Sequence, residues 1–368
     1  MRYAVIGDIH ACLEGLDIVI RDCKSQGVDK IIGLGDYVDL GPDPKECVDL
    51  AKYFFDVALQ GNHDRGFLKG YIGRVDEDTR ISREWTKKNW FDPDVFRKVR
   101  EELNTAGGSL LEKINELYRK NPPRNKEKVQ HFMNLLNLVM QEEYFDFLES
   151  LNPYHQLDDN GVKMIFAHGF PLCLAFKEDG SINEELMERL GVYKKGEATE
   201  KDFEVYREFF SDLYVITKGE WKRRKEEKRE KYLKEDEEIK KLSKKYQEEG
   251  KTDKEVKELL EKYIKELLEK YRKGHYVIAQ ELAKELEDDT VLFVAHMHIP
   301  FKYRIGRKRV VNVGAVFDAR HLGNNTACWA LCDTRYDIED DRFAEIRRVR
   351  YDRGETERKT NKKGVLGA

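Results

Sequence analysis

Short polar segments with metal-binding side chains recur along the chain, each directly after an apolar run. Four of them begin at Gly7, Gly35, Gly61 and Ala295, and a single histidine follows a fifth apolar run. Five of the nine histidines fall at these places, together with three aspartates and one asparagine, a set that packing alone seldom produces. The candidate residues are Asp8, His10, Asp36, Asn62, His63, Asp64, His168, His296 and His298.

The donor types indicate which ions could bind. Carboxylate oxygens, imidazole nitrogens and amide oxygens suit Mn²⁺, Fe and Zn²⁺, whereas a structural zinc site ordinarily contains thiolates. No cysteine belongs to the set. The donors are too numerous for one ion, but two ions about 3.5–4 Å apart that share a bridging carboxylate would use them all. We therefore expect a site for two divalent ions.

The elements that must position these residues alternate between strand and helix. Apolar runs predict strands at 2–7, 30–35 and 56–61. Apolar residues at helical spacing predict helices over 13–23 and 44–53. Each candidate segment then lies at the carboxyl end of a strand, the edge where ligands bind in open α/β sheets. Glycine before three of the four segments lets the backbone approach a compact cluster.

Strand-like runs in the second half of the chain predict a second sheet. The last three runs are short and lack long helices between them, which suggests antiparallel pairing. The runs are 162–167, 290–295, 310–313, 327–332 and 343–349. The expected fold class is α/β (α+β): a four-layer β-sandwich of two mixed sheets flanked by helices, with helical insertions.

One domain over residues 1–352 is expected, with helical insertions at about 66–150 and 176–287. A polar, frayed tail is expected over 353–368. Within the second insertion, residues 218–273 contain 21 Lys and Arg and 16 Asp and Glu, and two thin apolar stripes predict a helical hairpin. This charged hairpin could be a solvated arm packed on its own protein. It could instead contact a partner or a second copy of the chain, or cover the active site.

Composition argues against several classes of protein. Apolar residues make up 40% of the chain, enough for a core, and charged residues make up 38%. The net charge of -4 gives no global basic bias, so nucleic acid is an alternative partner that the sequence does not indicate. There is no apolar run of membrane-spanning length and no secretory signal pattern. We expect a cytoplasmic protein without a membrane partner.

The six cysteines support the same compartment. None forms a CxxC pair, and five lie in apolar stretches, as expected for reduced core residues of a cytosolic protein. They are Cys12, Cys23, Cys47, Cys173, Cys328 and Cys332.

In their order, the segments resemble the calcineurin-like metallophosphoesterase superfamily, whose motifs are DxH, GDxxD, GNH, a lone His and HxH. Longer stretches, among them GDYVDLGPDPKECVDL, ALQGNHDRGFL and FAHGFP, are similar to its prokaryotic diadenosine-tetraphosphatase-like and phosphodiesterase-like branch. The resemblance covers roughly residues 1–90, 150–175 and 288–352. It identifies the superfamily with high specificity but says little about the substrate.

The resemblance implies metal-binding roles for seven residues. The first ion would be held by Asp8, His10 and His298. The second ion would be held by Asn62, His168 and His296. Asp36 would bridge the two ions, of which Mn²⁺ is the favoured identity and Fe, Zn²⁺ and Ni²⁺ are alternatives.

Catalytic roles are also implied by the resemblance. His63 would act as general acid or charge stabiliser, with Asp64 orienting its ring, while Asp39 would support the ligands without binding metal. Arg65 and Arg320 are weaker candidates for contacting the phosphate, because the guanidinium fork matches phosphate oxygens.

The implied function is that of a dinuclear-metal phosphoesterase, which hydrolyses a phosphodiester or nucleotide-type substrate by attack of a metal-bridging hydroxide. The alternatives are a phosphatase for phosphoproteins or nucleic-acid ends and a non-catalytic scaffold with the same fold. Leu40 stands where the superfamily's protein phosphatases have Arg, and Asp64 stands where they have Glu. Both differences argue against a dedicated protein phosphatase. Ala295 replaces the usual Gly before HxH, a small change.

Overall fold

A computed structural model describes residues 1–69, 77–103, 110–120, 126–169, 282–317 and 325–365, together with isolated positions between 170 and 281. Apart from such isolated positions, the charged hairpin predicted over 218–273 lies outside the described residues. The same holds for most of the insertion predicted at 176–287.

The first sheet consists of five strands drawn from both ends of the chain. They are β1 (Arg2–Ile6), β2 (Lys30–Gly33), β3 (Val57–Ala58), β9 (Thr326–Asp333) and β10 (Ala344–Arg350). Their order is β10-β9-β1-β2-β3. Strands β1, β2 and β3 run parallel, whereas β9 is antiparallel to both β1 and β10, so the sheet is mixed.

The second sheet consists of β4 (Tyr154–Asp159), β5 (Val162–Ala167), β6 (Thr290–Val294), β7 (Phe301–Ile305) and β8 (Lys308–Asn312). Its order is β4-β5-β6-β8-β7, with β5, β6 and β8 parallel and the two edge strands antiparallel. Two mixed sheets with helices confirm the expected fold class. The antiparallel pairing expected of the last strands was assigned to the wrong sheet, because β9 and β10 pair beside β1 and the strand at 308–312 lies parallel to β6.

Alternation along β1 shows how the layers pack. Tyr3 and Val5 face the second sheet, where they contact a fully apolar layer that includes Phe166 and Phe293. Ala4 and Ile6 point the other way, into the core beneath the helices. Successive side chains of a strand point to opposite faces. The five residues of β1 therefore contribute side chains to both hydrophobic cores.

Helices cover the outer face of the first sheet and fill the region after β3. They are α1 (Leu13–Ser25), α2 (Pro44–Phe54), α3 (Asn62–Lys69), α4 (Glu77–Asn89), α5 (Pro93–Glu102), α6 (Leu110–Lys120), α7 (Lys126–Val139), α8 (Glu142–Ser150) and α9 (Arg353–Lys363). Within the first insertion, Phe96 of α5 stacks on Phe145 of α8, with ring centroids 4.6 Å apart. None of the helices in the described part of the chain is both long and apolar enough to cross a membrane.

The C-terminal segment is polar, as expected, but the expectation that it is frayed was wrong. Asp352 caps α9 by accepting the backbone N–H of Glu355 at 3.0 Å, and Gly364 ends the helix in a left-handed conformation. Thr356 and Thr360 are buried against the body of the protein. The polar composition gave no sign of this well-capped helix, because α9 packs on the protein through threonines and ion pairs and not through an apolar stripe.

The cysteine prediction is consistent with the structure. All five cysteines among the described residues are buried and free. Cys173 lies outside the described residues.

Candidate metal centre

The predicted ligands converge at the ends of strands from both sheets. Asp8 and His10 follow β1, Asp36 follows β2, and Asn62 follows β3. His168 follows β5, and His296 and His298 follow β6 in the second sheet. Several contacts join the sheets at this edge. Among them, the backbone N–H of His296 donates to Asp8 Oδ1 at 3.1 Å, and the ring of His168 contacts Asn62 and Asp36.

The backbone is held in an unusual conformation where it carries these side chains. Ten non-glycine residues of the described chain have a positive φ, and eight of them lie in the candidate segments. Such left-handed residues are costly unless the surroundings fix them, and they cluster at functional sites. The eight are Asp8, His10, Ala11, Asp36, Asp39, Leu40, His296 and His298.

One group of donors is formed by Asp8, His10 and His298, whose ligand atoms all lie within 4.8 Å of one another. The Nε2 atoms of the two histidines are 3.1 Å apart. Two nitrogens that each lie about 2.1 Å from one ion are separated by roughly 3.0–3.4 Å at ordinary coordination angles. The spacing therefore fits two ligands of a common ion.

A second group is formed by Asp8, Asp36 and His168. His168 Nε2 lies 3.2 Å from Asp36 Oδ2 and 2.9 Å from Asn62 Oδ1. Asn62 Oδ1 is also 2.9 Å from His296 Nδ1. Since Asp36 Oδ2 is 3.6 Å from His10 Nε2 of the first group, this one oxygen lies between the two groups.

Hydrogen bonds to atoms that face away from the cluster orient the candidate ligands towards its centre. His168 Nδ1 lies 3.1 Å from the carbonyl of Leu34, so it donates there and leaves the Nε2 lone pair directed at the site. Asp36 Oδ1 accepts the backbone N–H of His63 at 2.8 Å, which leaves Oδ2 for the centre. This arrangement is that of metal-ligating side chains held by a supporting shell.

The electrostatics of the cluster favour a cation. Burial raises the pKa of Asp8 to about 8 and lowers the pKa of His10 to about 3, because each charged form loses its water. Asp8 Oδ2 is buried and has no hydrogen-bond partner among the described residues. Burying a carboxylate without a partner is costly, and a bound divalent ion is such a partner. The residues present thus fit the predicted metal ions.

His63 lies beside the ligands and is held by Asp39. A ring nitrogen of His63 falls within 4.8 Å of ligand atoms of His10 and Asp36, and the His10 and His63 rings meet edge to face with centroids 4.6 Å apart. His63 Nδ1 is 3.1 Å from Asp39 Oδ2. Burial lowers the pKa of His63, but the charges of Asp36 and Asp39 outweigh it and raise the pKa to about 9.

The role predicted for Asp64 was wrong. Its two oxygens accept the backbone N–H groups of Asp36, Tyr37 and Gly61 at 2.8–2.9 Å, so they are not directed at the His63 ring. The first turn of α3 turns the Asp64 side chain back towards the loop after β2. Asp64 therefore fixes that loop, and Asp39 is the carboxylate that orients His63.

Sequence reasoning missed Arg83, which lies on α4 and contacts Asp39 Oδ2 through Nε at 3.0 Å and through Nη2. No motif marks it, because it follows Asp39 by 44 positions and lies outside the GDxxD and GNH segments. Arg65 lies half-buried in the first turn of α3, near the site. Arg320 lies outside the described residues.

Comparison with known proteins agrees with this site. Residues 1–172 match the sequence model of the calcineurin-like phosphoesterases. A curated, uncharacterized protein of Methanocaldococcus jannaschii is 43% identical over 86 residues, which is 23% of this chain and 35% of that protein. Serine/threonine-protein phosphatase 1 of Salmonella typhimurium is 36% identical over 62 residues, 17% of this chain and 29% of that enzyme. The chain thus spans about a third of the length of the curated relatives it matches.

Among solved structures, a metallophosphoesterase from Sphaerobacter thermophilus aligns with 100% of this chain and 95% of its own, at 17% identity and a TM-score of 0.45. Over residues 1–172 the chain thus carries the sequence pattern of the calcineurin-like phosphoesterases. This confirms the superfamily that the motifs indicated.

Proposed function

We propose that the chain is a metal-dependent phosphoesterase that hydrolyses a phosphodiester or nucleotide-type substrate with two divalent ions. The observation that supports this best is the meeting of two donor groups at Asp36 Oδ2, which lies 3.2 Å from His168 Nε2 and 3.6 Å from His10 Nε2. When bound, such ions provide hydroxide at neutral pH and neutralise phosphoryl oxygens.

The seven candidate ligands divide between the two ions as the resemblance implies. One set is Asp8, His10 and His298, and the other is Asn62, His168 and His296, with Asp36 shared. The donors are carboxylate, imidazole and amide groups, which supports Mn²⁺, with Fe, Zn²⁺ and Ni²⁺ as alternatives.

His63 is the proposed proton donor. Its Nδ1 is engaged by Asp39, so its Nε2 is the atom that can give a proton to the departing oxygen. The side chain is 16% exposed, which leaves it open to a substrate above the ions. Arg65 and Arg320 remain proposed phosphate contacts.

A phosphatase for phosphoproteins or nucleic-acid ends is the second candidate. The similarity to the Salmonella serine/threonine-protein phosphatase favours it, although that match covers 29% of the enzyme. Leu40 and Asp64 in place of the Arg and Glu typical of protein phosphatases speak against it. A scaffold without activity is disfavoured, because every candidate ligand and His63 are present.

The remaining proposals concern the whole chain. We propose one phosphoesterase domain with helical insertions, extended through α9, in a cytoplasmic protein. The charged hairpin at 218–273 is proposed as the segment through which any second copy or partner would bind.

The first test measures metal content and hydrolysis on the same purified protein. Wild type loaded with Mn²⁺ should bind two ions per chain, as measured by inductively coupled plasma mass spectrometry. It should also hydrolyse bis(4-nitrophenyl) phosphate. His63→Ala should keep both ions but lose about 10²–10⁴-fold in kcat. A matched control is His155→Ala, a histidine on β4. Folded wild-type protein that binds no metal and hydrolyses neither this diester nor the 4-nitrophenyl monoester would refute the proposal. The ratio of the two rates distinguishes diesterase from phosphatase.

A further inference from the structure

Arg83 enters the site from the first helical insertion. It lies on α4, and its side chain is only 10% exposed. Two of its nitrogens, Nε and Nη2, contact the same oxygen, Asp39 Oδ2. His63 Nδ1 approaches that oxygen as well, at 3.1 Å. One carboxylate oxygen therefore links an arginine of the insertion to the histidine beside the metal ligands.

Asp39 depends on this contact for its position. Its other oxygen, Oδ1, is buried and has no hydrogen-bond partner among the described residues. The backbone gives little stability of its own, because Asp39 and Leu40 both have a left-handed conformation, with φ of 64° and 67°. Without Arg83, the Asp39 side chain would be held by His63 alone.

Helix α4 holds this loop at a second point. The backbone N–H of Leu40 donates to the hydroxyl of Ser82, the residue before Arg83. Two consecutive residues of α4 thus bind two consecutive residues of the loop. Such a double contact fixes both the direction of the Asp39 side chain and the strained backbone that carries it.

Gly66 of α3 leaves space for the guanidinium of Arg83. A Cβ placed on Gly66 would lie 2.8 Å from Arg83 Nη2 and 3.0 Å from Nη1. Gly66 follows His63 by three residues on α3. A glycine inside a helix costs up to about 1 kcal/mol relative to alanine, so its presence here needs a reason, and passage of Arg83 supplies one.

We propose that Arg83 is a positioning residue for the proton donor His63, acting through Asp39. The inference rests on the proposed phosphoesterase function. Arg83 orients the carboxylate, and the carboxylate fixes the plane of the His63 ring so that Nε2 meets the leaving oxygen. Arg83 does not contact the ions or the substrate in this role.

Leaving-group dependence separates this role from a general structural one. A proton donor matters much when the leaving group is a poor one such as phenolate, and little when it is a good one such as 4-nitrophenolate. Arg83→Met should therefore lower kcat for phenyl methyl phosphate by about tenfold or more, yet lower kcat for 4-nitrophenyl methyl phosphate by less than about threefold. KM and metal content should stay unchanged.

Arg80→Met is the matched control. Arg80 lies one turn earlier on α4 and pairs with Glu84 at the surface, so its loss should leave both rates unchanged. Equal losses on both esters in Arg83→Met, or a raised KM, would overturn the inference while leaving the phosphoesterase function intact. If wild type hydrolyses neither ester, the proposed function fails, and the inference fails with it.

Two further variants decide the matter if Arg83→Met does not fold. Arg83→Lys keeps the charge but cannot place two N–H groups on one oxygen, so it should show the same selective loss at smaller size. Gly66→Ala should displace the guanidinium while every catalytic group remains, again with selective loss on the phenyl ester. Its thermal midpoint should fall less than that of Arg83→Met, because alanine favours the helix and the guanidinium charge is kept. Unchanged selectivity in both variants would overturn the inference.

Discussion

Two halves of the candidate site are held in place by different means. The ligand half consists of the seven proposed metal ligands, and the donor half consists of the proposed proton donor His63 with Asp39 and Arg83. The ligands stand on loops directly after strands, and backbone groups aim them, as the Leu34 carbonyl does for His168 and the His63 N–H does for Asp36. The donor His63 is aimed by a chain of side chains, Asp39 and then Arg83, that ends in a helical insertion. Backbone support follows from the fold, whereas side-chain support requires a partner distant in sequence.

This difference predicts two kinds of defect. Changes in the ligand half should remove metal and abolish hydrolysis of every ester. Changes in the donor half should spare the metal and act selectively on esters with poor leaving groups. The predictions below test whether the two halves are separable to this extent.

Asp36→Asn should have the largest effect, because Asp36 contributes to both halves. Its Oδ2 lies between the two donor groups, and its Oδ1 accepts the His63 N–H. A neutral amide is a poor bridge for two cations, so we expect fewer than two bound ions and a loss of about 10³-fold or more in kcat/KM. Elemental analysis and rates on both aryl esters measure this.

Asp17→Asn is the control for that change, since Asp17 is an exposed carboxylate paired with Arg21 on α1. Two ions retained in Asp36→Asn, with activity lost only on the phenyl ester, would contradict the assignment. Such a result would mean that Asp36 serves the donor half alone.

The ligand half could be predicted from sequence because its information is local. Each motif such as Gly7-Asp8-Ile9-His10 follows a recognisable strand, and parallel strands bring their carboxyl ends to one edge. The donor half could not be predicted to the same degree. Whether Asp39 or Asp64 contacts His63 depends on the direction of the first turn of α3, and Arg83 is specified only by tertiary packing.

The fold shows the same division. Buried strands such as β5 and β6 are mostly apolar and were predicted at their correct places. The edge strands β4 and β7 were missed, since Tyr154–Asp159 and Phe301–Ile305 mix polar and apolar residues. Assignment of β9 to the first sheet could not be predicted either, because pairing of strands about 330 residues apart leaves no local signal.

Asp64→Asn tests backbone support directly and should have an intermediate effect. Asp64 is fully buried, and its oxygens accept three backbone N–H groups at 2.8–2.9 Å. An amide turns one acceptor into a donor that faces these N–H groups, so unfolding should become easier by about 2–3 kcal/mol in urea titrations. Rates on both esters should fall together, by less than in Asp36→Asn. Asp49→Asn, an exposed residue, is the control. A selective loss of kcat for the phenyl ester would instead assign Asp64 to the donor half.

Lys359→Met should have the smallest effect, because it acts at the far end of the loop that carries Asp39. Lys359 of α9 pairs with Glu14 and, at 3.1 Å, with Asp43. Between Asp39 and Asp43 the loop is pinned independently: the Asp43 N–H donates to the Ala11 carbonyl, and a Cβ on Gly41 would collide with the His10 carbonyl. A defect at Asp43 should therefore not reach Asp39.

We expect Lys359→Met to lower the free energy of unfolding by about 0.5–1 kcal/mol, as for a partly exposed ion pair, with both ester rates within about twofold of wild type. Lys362→Met, an exposed neighbour on the same helix, should change neither. If Lys359→Met instead slowed the phenyl ester selectively, the loop would transmit movement along its length. The donor half would then extend from the insertion to the C-terminal helix, and the boundary between the two halves would have to include α9.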